Sequence, residues 1–326
     1  MHYAVYLPLI LPLLAALAAR PLAERLPPAL ASWLLTASSL ALAAASSAVL
    51  GLLTLAALVR IPWVASAGDL SRPVISQNDP AAVPVSIVAG ALLAAAATAA
   101  ARALYRKYAA IATASRHARS LPGTSQVVLT DDEGADAYTL PGWPCRVVVT
   151  AGMMRALIPA ERDVLLAHER AHAVGFHFLF TTAARLAAAA NPLLRPVATE
   201  VGYTVERWAD ERAAAETGDR PLAARAVAHA ALAAKAAPPR TPAPVPSLPA
   251  VTAGPLAQNG VWLHRLRTPR PGPVPRRVAA LLNPPPRPRL LLLATVTLVM
   301  LVAGASTVEA AHDMHTLIEF ASYQNA

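Results

Sequence analysis

Four stretches with no charged side chain, at about residues 5–19, 35–59, 83–101 and 290–308, constrain this chain more than any other feature. A helix needs roughly 20 predominantly apolar residues to cross the hydrocarbon core of a bilayer. Each stretch is read as a transmembrane helix. The first is not read as a cleaved leader, because it lacks a basic region ahead of it and a second apolar stretch follows almost at once. Composition agrees: only 14% of residues are charged, against about 25% in soluble domains. The single cysteine, Cys145, excludes an intramolecular disulfide and any zinc site built on two or more thiolates.

The net charge of +9 admits two readings, a nucleic-acid surface or the basic bias of cytoplasmic membrane loops. The distribution favours the second. Arg20 and Arg25 follow the first stretch, and Arg102, Arg106, Lys107, Arg116 and Arg119 follow the third. Arg287 and Arg289 precede the fourth, while both ends of the chain lack Lys and Arg. The expected topology places the N- and C-termini outside and residues 102–289 in the cytoplasm, with the lipid bilayer as a partner and no direct contact with nucleic acid.

Residues 1–101 read as a membrane region with three spans, 102–237 as a cytoplasmic catalytic unit and 238–289 as a linker rich in Pro and Arg. Residues 290–308 follow as the fourth span and 309–326 as a short external tail. Within the catalytic unit, 127–130, 137–140 and 146–150 read as strands of a small antiparallel sheet, with 146–150 either core or edge. A helix begins near Pro159, with Glu161 and Asp163 in its first turn, and ends near Gly175. Another covers about 203–217, and the RRVAALL piece at 276–282 reads as one docked helical turn. The apolar stretch 176–194 contains Arg185, Asn191 and Pro192 and is read as a buried or interfacial helix.

The chemistry lies in His168-Glu169-Arg170-Ala171-His172, which fits H-E-x-x-H. On a helix, residues four apart share a face, so both imidazoles reach one zinc ion. Glu169 is offset by one position and reaches a water at the metal without being a ligand, as a general base does. The bland reading is two histidines on a solvated face. The apolar DVLLA run ahead of the motif argues for burial, and buried imidazoles need partners. A third ligand is expected downstream, from Glu200, Glu206, Asp210, Glu211 or Glu216. Glu206 and Asp210 are one turn apart. Glu206 is favoured as the ligand of one zinc per chain, and Asp210 as the group that orients a ligand imidazole. His177 is off the metal face, and its expected role is packing or support. Tyr203, Arg207 and Arg212 are open choices for an oxyanion stabiliser.

HERAH followed by VERWADERAA resembles the membrane-bound gluzincin peptidases of families M48 and M56, in which H-E-x-x-H precedes a later E-x-x-x-D. Glu206 and Asp210 fall on those positions. Three spans, a cytoplasmic peptidase segment and a fourth span look most like the M56 branch, which includes sensor-transducer proteins. About eighteen residues follow the last span, so an external sensor domain of that kind is not expected. The resemblance implies a mainly α membrane protein of four transmembrane helices with a small α+β zincin-like metallopeptidase domain between the third and fourth. It implies a zinc-dependent endopeptidase acting on a protein or peptide substrate, a transcriptional repressor or a membrane protein. The rival reading is a non-catalytic signalling protein with a structural zinc.

Overall fold

The computed structural model describes residues 6–58, 83–121, 123, 125–140, 145–237, 272–288 and 290–323. In chain order the elements are helices α1 (Leu7–Arg25), α2 (Pro28–Leu58) and α3 (Val83–Ser120), then strands β1 (Val127–Thr130), β2 (Ala137–Leu140) and β3 (Arg146–Thr150). Helices α4 (Ala151–Ala156), α5 (Pro159–Val174), α6 (His177–Ala190), α7 (Arg195–Thr217) and α8 (Arg220–Ala236) follow, and α9 (Pro273–Leu282) and α10 (Leu290–Tyr323) complete the described chain.

Helices α1, α2, α3 and α10 are long and apolar enough to cross a membrane. Val85, Ile87, Val88 and Leu92 of α3 and Leu290, Leu298, Leu301 and Val302 of α10 are exposed. In water they would leave large apolar faces uncovered. Their length and outward apolar faces point to a membrane protein.

The α1–α2 pair shows how such helices keep their backbones satisfied. Pro12 lies inside α1 and has no N–H to give to the carbonyl of Pro8. Ser46 of α2 reaches that carbonyl at 2.8 Å, its one hydroxyl proton shared with the Leu42 carbonyl at 2.7 Å. The same hydroxyl oxygen accepts from the Asn191 amide at 3.1 Å, which ties the end of α6 to α1 and α2. Nearer the other end of α2, Trp33 meets Phe180 of α6 edge-on, with ring centroids 4.8 Å apart. From Trp33 to Ser46 is roughly 20 Å along a helix. The chain turns at Pro192–Leu194 and returns along α7. There Ser32 donates to Thr204 at 3.0 Å, and Arg207 donates to the carbonyl of Ala23 at 2.6 Å. The stretch 176–194 is thus the outgoing arm of a buried hairpin that enters and leaves at one end of α2.

The sheet has the order β1-β3-β2, with β1 parallel and β2 antiparallel to β3. This corrects the expected antiparallel sheet. The reason is β3 itself, which is buried at all five positions. A strand covered on both faces takes the centre, and its β-branched run Val147–Val149 suits that place. Among the described residues β1 and β2 are therefore the two outer strands, and β2 is the one whose Thr139 reaches α5. Gly152 holds the start of α4 against the turn before β2, since a Cβ there would lie 2.0 Å from the Glu133 carbonyl oxygen.

Other boundaries move. Helix α7 starts at Arg195, a full two turns ahead of the expected start, because the hairpin returns as helix. Helix α9 is ten residues long, where one turn was expected. Helix α10 continues through Tyr323, so residues 309–323 of the expected short external tail are helical. Most of the expected linker, 238–271, lies outside the described residues.

Ser46→Ala will leave the Pro8 carbonyl and the Asn191 amide without their partner. A loss of about 1–3 kcal/mol is expected for such buried polar groups, read as a lower melting temperature in detergent. An unchanged melting temperature would show that the Ser46 contacts do not hold the hairpin.

A candidate metal centre

Helix α5 carries the motif, and its geometry follows from its ends. Pro159 occupies the first turn, and the Glu161 carboxylate accepts from the Ile158 N–H at 3.3 Å. The other Glu161 oxygen pairs with His229 Nδ1 at 2.8 Å, a partner not visible in the sequence. The helix ends at Gly175, where a Cβ would lie 2.5 Å from His177 Nε2. Phe176 then adopts a left-handed conformation with φ of 47°, which costs energy in a non-glycine residue. Helix α6 leaves at a bend of 60°. The bend tucks His177 back under the motif.

His168 and His172 project from one face of α5 with their Nε2 atoms 3.1 Å apart. Glu206 of α7 faces both, with Oε2 3.6 Å from His168 Nε2 and Oε1 3.5 Å from His172 Nε2. The three donor atoms lie within 4.8 Å of one another, so the triad is a possible metal site. The donor chemistry fits zinc. Four ligands at about 2.0–2.1 Å in a tetrahedron stand roughly 3.3 Å apart; the Nε2 pair is close to that, and each imidazole is close to it from one of the two Glu206 oxygens.

The far nitrogen of each imidazole is also engaged. His168 Nδ1 lies at ion-pair distance from Asp210 Oδ1, 3.0 Å, without hydrogen-bond geometry. His172 Nδ1 lies 3.0 Å from His177 Nδ1, and the His177 ring packs on Trp208 with centroids 4.6 Å apart. Partners of this kind fix the ring orientation and leave Nε2 free to bind a metal. Glu169 is buried on the neighbouring face. Thr139 of β2 donates its hydroxyl to Glu169 Oε2 at 2.8 Å. Burial raises the Glu169 carboxyl above the ordinary glutamate range, against the pull of His168 and Thr139. A raised carboxyl is a stronger proton acceptor, as a general base near neutral pH requires.

Charge in the centre is balanced by a residue the sequence reading passed over. Arg277 of α9 lies 3.0 Å from Glu206 Oε2 and donates to both oxygens of Asp210, at 2.7 and 2.6 Å. Burial opposes ionisation of Glu206, yet Arg277 and His172 outweigh it and hold that carboxyl well below its usual range. The RR pair in RRVAALL was the available signal, but nothing in the sequence connects it with a helix some seventy residues earlier.

The other acidic candidates lie elsewhere. Glu200 pairs with Arg276 at 2.8 Å, Glu211 with Arg220 and Glu216 with Arg170. Of the proposed oxyanion groups, Arg207 is committed to the Ala23 carbonyl and Tyr203 lies under the Arg276 guanidinium at 3.7 Å. A cavity of about 1390 Å³ opens beside the metal site and reaches β2, α3, α6 and α8. Ala137, Tyr138 and Thr139 of β2 form one wall with His168, Glu169 and His172.

Residues 99–194 match the model of peptidase family M48. The match runs from within α3 to the tip of the hairpin and includes the H-E-x-x-H helix, and it indicates a metallopeptidase of zincin-like type. It ends before Glu206 and Asp210, so the geometry of α7 is independent of it. No curated protein and no solved structure matches the chain.

Purified protein will hold about one metal ion per chain, counted by mass spectrometry of the element. His168→Ala and His172→Ala will each lose it. Full metal retention in both variants would dismiss the triad as a metal site.

Proposed function

We propose that this chain is an integral-membrane zinc endopeptidase, with His168, His172 and Glu206 as ligands and Glu169 as general base. The observation that carries the reading is the convergence of two imidazoles and a carboxylate from separate helices at tetrahedral spacing, with a buried, unliganded glutamate beside them. When bound, zinc polarises a carbonyl and makes water acidic enough to be deprotonated near neutral pH. The chain's own residues do the rest. Glu169 accepts the proton, and Thr139 holds its carboxylate in place. Asp210 and His177 fix the two imidazoles.

Strand β2 supplies the substrate-binding element of this proposal. Among the described residues β2 pairs with β3 alone; its Ala137, Tyr138 and Thr139 line the cavity, and Thr139 touches Glu169. An extended peptide that adds to this strand by main-chain hydrogen bonds is carried past the general base. Strand β3 cannot take this role, because it is central and pairs on both sides. The substrate is a protein, either a transcriptional repressor or a membrane protein.

Helices α1, α2, α3 and α10 are the four spans in this reading, with the peptidase unit on the cytoplasmic side and both termini outside. The support is the Lys and Arg distribution and the three-before, one-after order, which resembles family M56. Reporters fused after residue 120 and at the C-terminus will give opposite signals. Matching signals would remove α10 as a span.

The rival is a signalling protein with a structural zinc. Glu169→Gln separates the two: it removes the base and leaves all three ligands. Zinc content will stay at the wild-type level, and cleavage of a protein substrate will fall by about 10²–10⁴-fold. Cleavage at the wild-type rate would refute the assignment of the base.

A further inference from the structure

Helix α9 reaches the centre from the far side of the linker, and its contacts divide into two sets. The first set fastens the helix. Arg276 forks onto both oxygens of Glu200, at 3.2 and 2.8 Å, and reaches Glu24 at 3.1 Å. Arg220 of α8 donates to the carbonyls of Leu281, Ala280 and Asn283 at 3.1, 3.0 and 2.8 Å, closing the C-terminal end of α9. Leu281 is buried among Val164, Ala213 and Ala223. None of these contacts involves Arg277.

The second set is Arg277 alone. Its guanidinium takes Oε2 of Glu206 and both oxygens of Asp210, while Glu206 Oε1 faces His172. Two carboxylates one helical turn apart, both buried, repel each other and have lost their water. A planar fork with donors on adjacent edges can bridge them at fixed angles, and a lysine ammonium cannot.

We propose that Arg277 is the positioning residue of the metal centre. It holds Oε2 of Glu206 on the His168 side so that Oε1 stays aimed at His172, and it locks Asp210 against His168. The proposal rests on the zinc reading given above. It makes the centre a composite: two ligands from α5, one from α7, and the group that orders the carboxylates from a helix beyond the linker and directly ahead of α10.

The test compares zinc dissociation constants of the full chain in detergent by chelator competition, for wild type, Arg277→Ala, Arg277→Gln and Arg277→Lys. The melting temperature of each metal-free protein is recorded alongside. Loss of a residue that orients ligands without binding metal typically costs 10–100-fold in affinity. That loss is expected for the alanine and glutamine variants, and a smaller one for lysine, which keeps charge without the fork. The contacts of Arg276, Arg220 and Leu281 keep α9 docked. If the alanine variant does not fold, the lysine variant decides, with at least a severalfold loss expected. Wild-type zinc affinity in the lysine and glutamine variants would overturn the role of Arg277 while leaving the zinc site standing. A wild-type protein that binds no zinc would overturn the site itself.

Discussion

Glu206 and Asp210 put two negative charges on one turn of a helix that the rest of the protein buries, Asp210 with only 1% of its side chain exposed. Buried carboxylates are costly unless each is paired, and much of the architecture answers that need. His168 and His172 approach from α5, and Arg277 approaches from α9. Helix α7 can bring Glu206 to this place because its earlier turns are held against α1 and α2 by the Thr204 and Arg207 contacts. Among the described residues, the two Nε2 atoms face each other and the Glu206 carboxylate around a shared point. A divalent metal is the group whose charge and donor preference suit that point.

The hairpin of α6 and α7 links this centre to the apolar helices. Its tip is tied to Ser46 and its base to Trp33, Ser32 and Ala23. The metal centre follows directly from the base, through the bend at Gly175 and Phe176 on one arm and through Val205 on the other. Core residues of α1, α2, α6 and α7 form one cluster. The motif helix α5 packs instead with α7, α8 and Leu281 in a second cluster, so α7 is the element that belongs to both.

The sequence made the local part of this legible and left the distant part hidden. His168, Glu169 and His172 are close in sequence, and a helix fixes their relative placement. Glu206 and Asp210 were found by spacing and resemblance, because a four-residue interval also defines a helix face. Glu200, Glu211 and Glu216 could not be set aside until their arginine partners were seen. Arg277, His177 and Thr139 depend on tertiary structure: a docked helix, a left-handed bend and a strand at the sheet edge. The strands were located correctly, but which strand takes the centre depends on burial of both faces, which is not written in a five-residue run, and pairing direction follows from that order. Helix ends moved for a similar reason. The hairpin and the continuation of α10 are decided by packing and environment rather than by local propensity.

X-ray absorption at the zinc edge tests the central claim most directly, because it reads the ligands without assuming a substrate. The account predicts a low-coordinate shell of nitrogen and oxygen at about 2.0–2.1 Å, with the outer-shell scattering of two imidazole rings. A zinc–sulfur distance near 2.3 Å, which would implicate Cys145, or a shell of oxygens without imidazole scattering would contradict it.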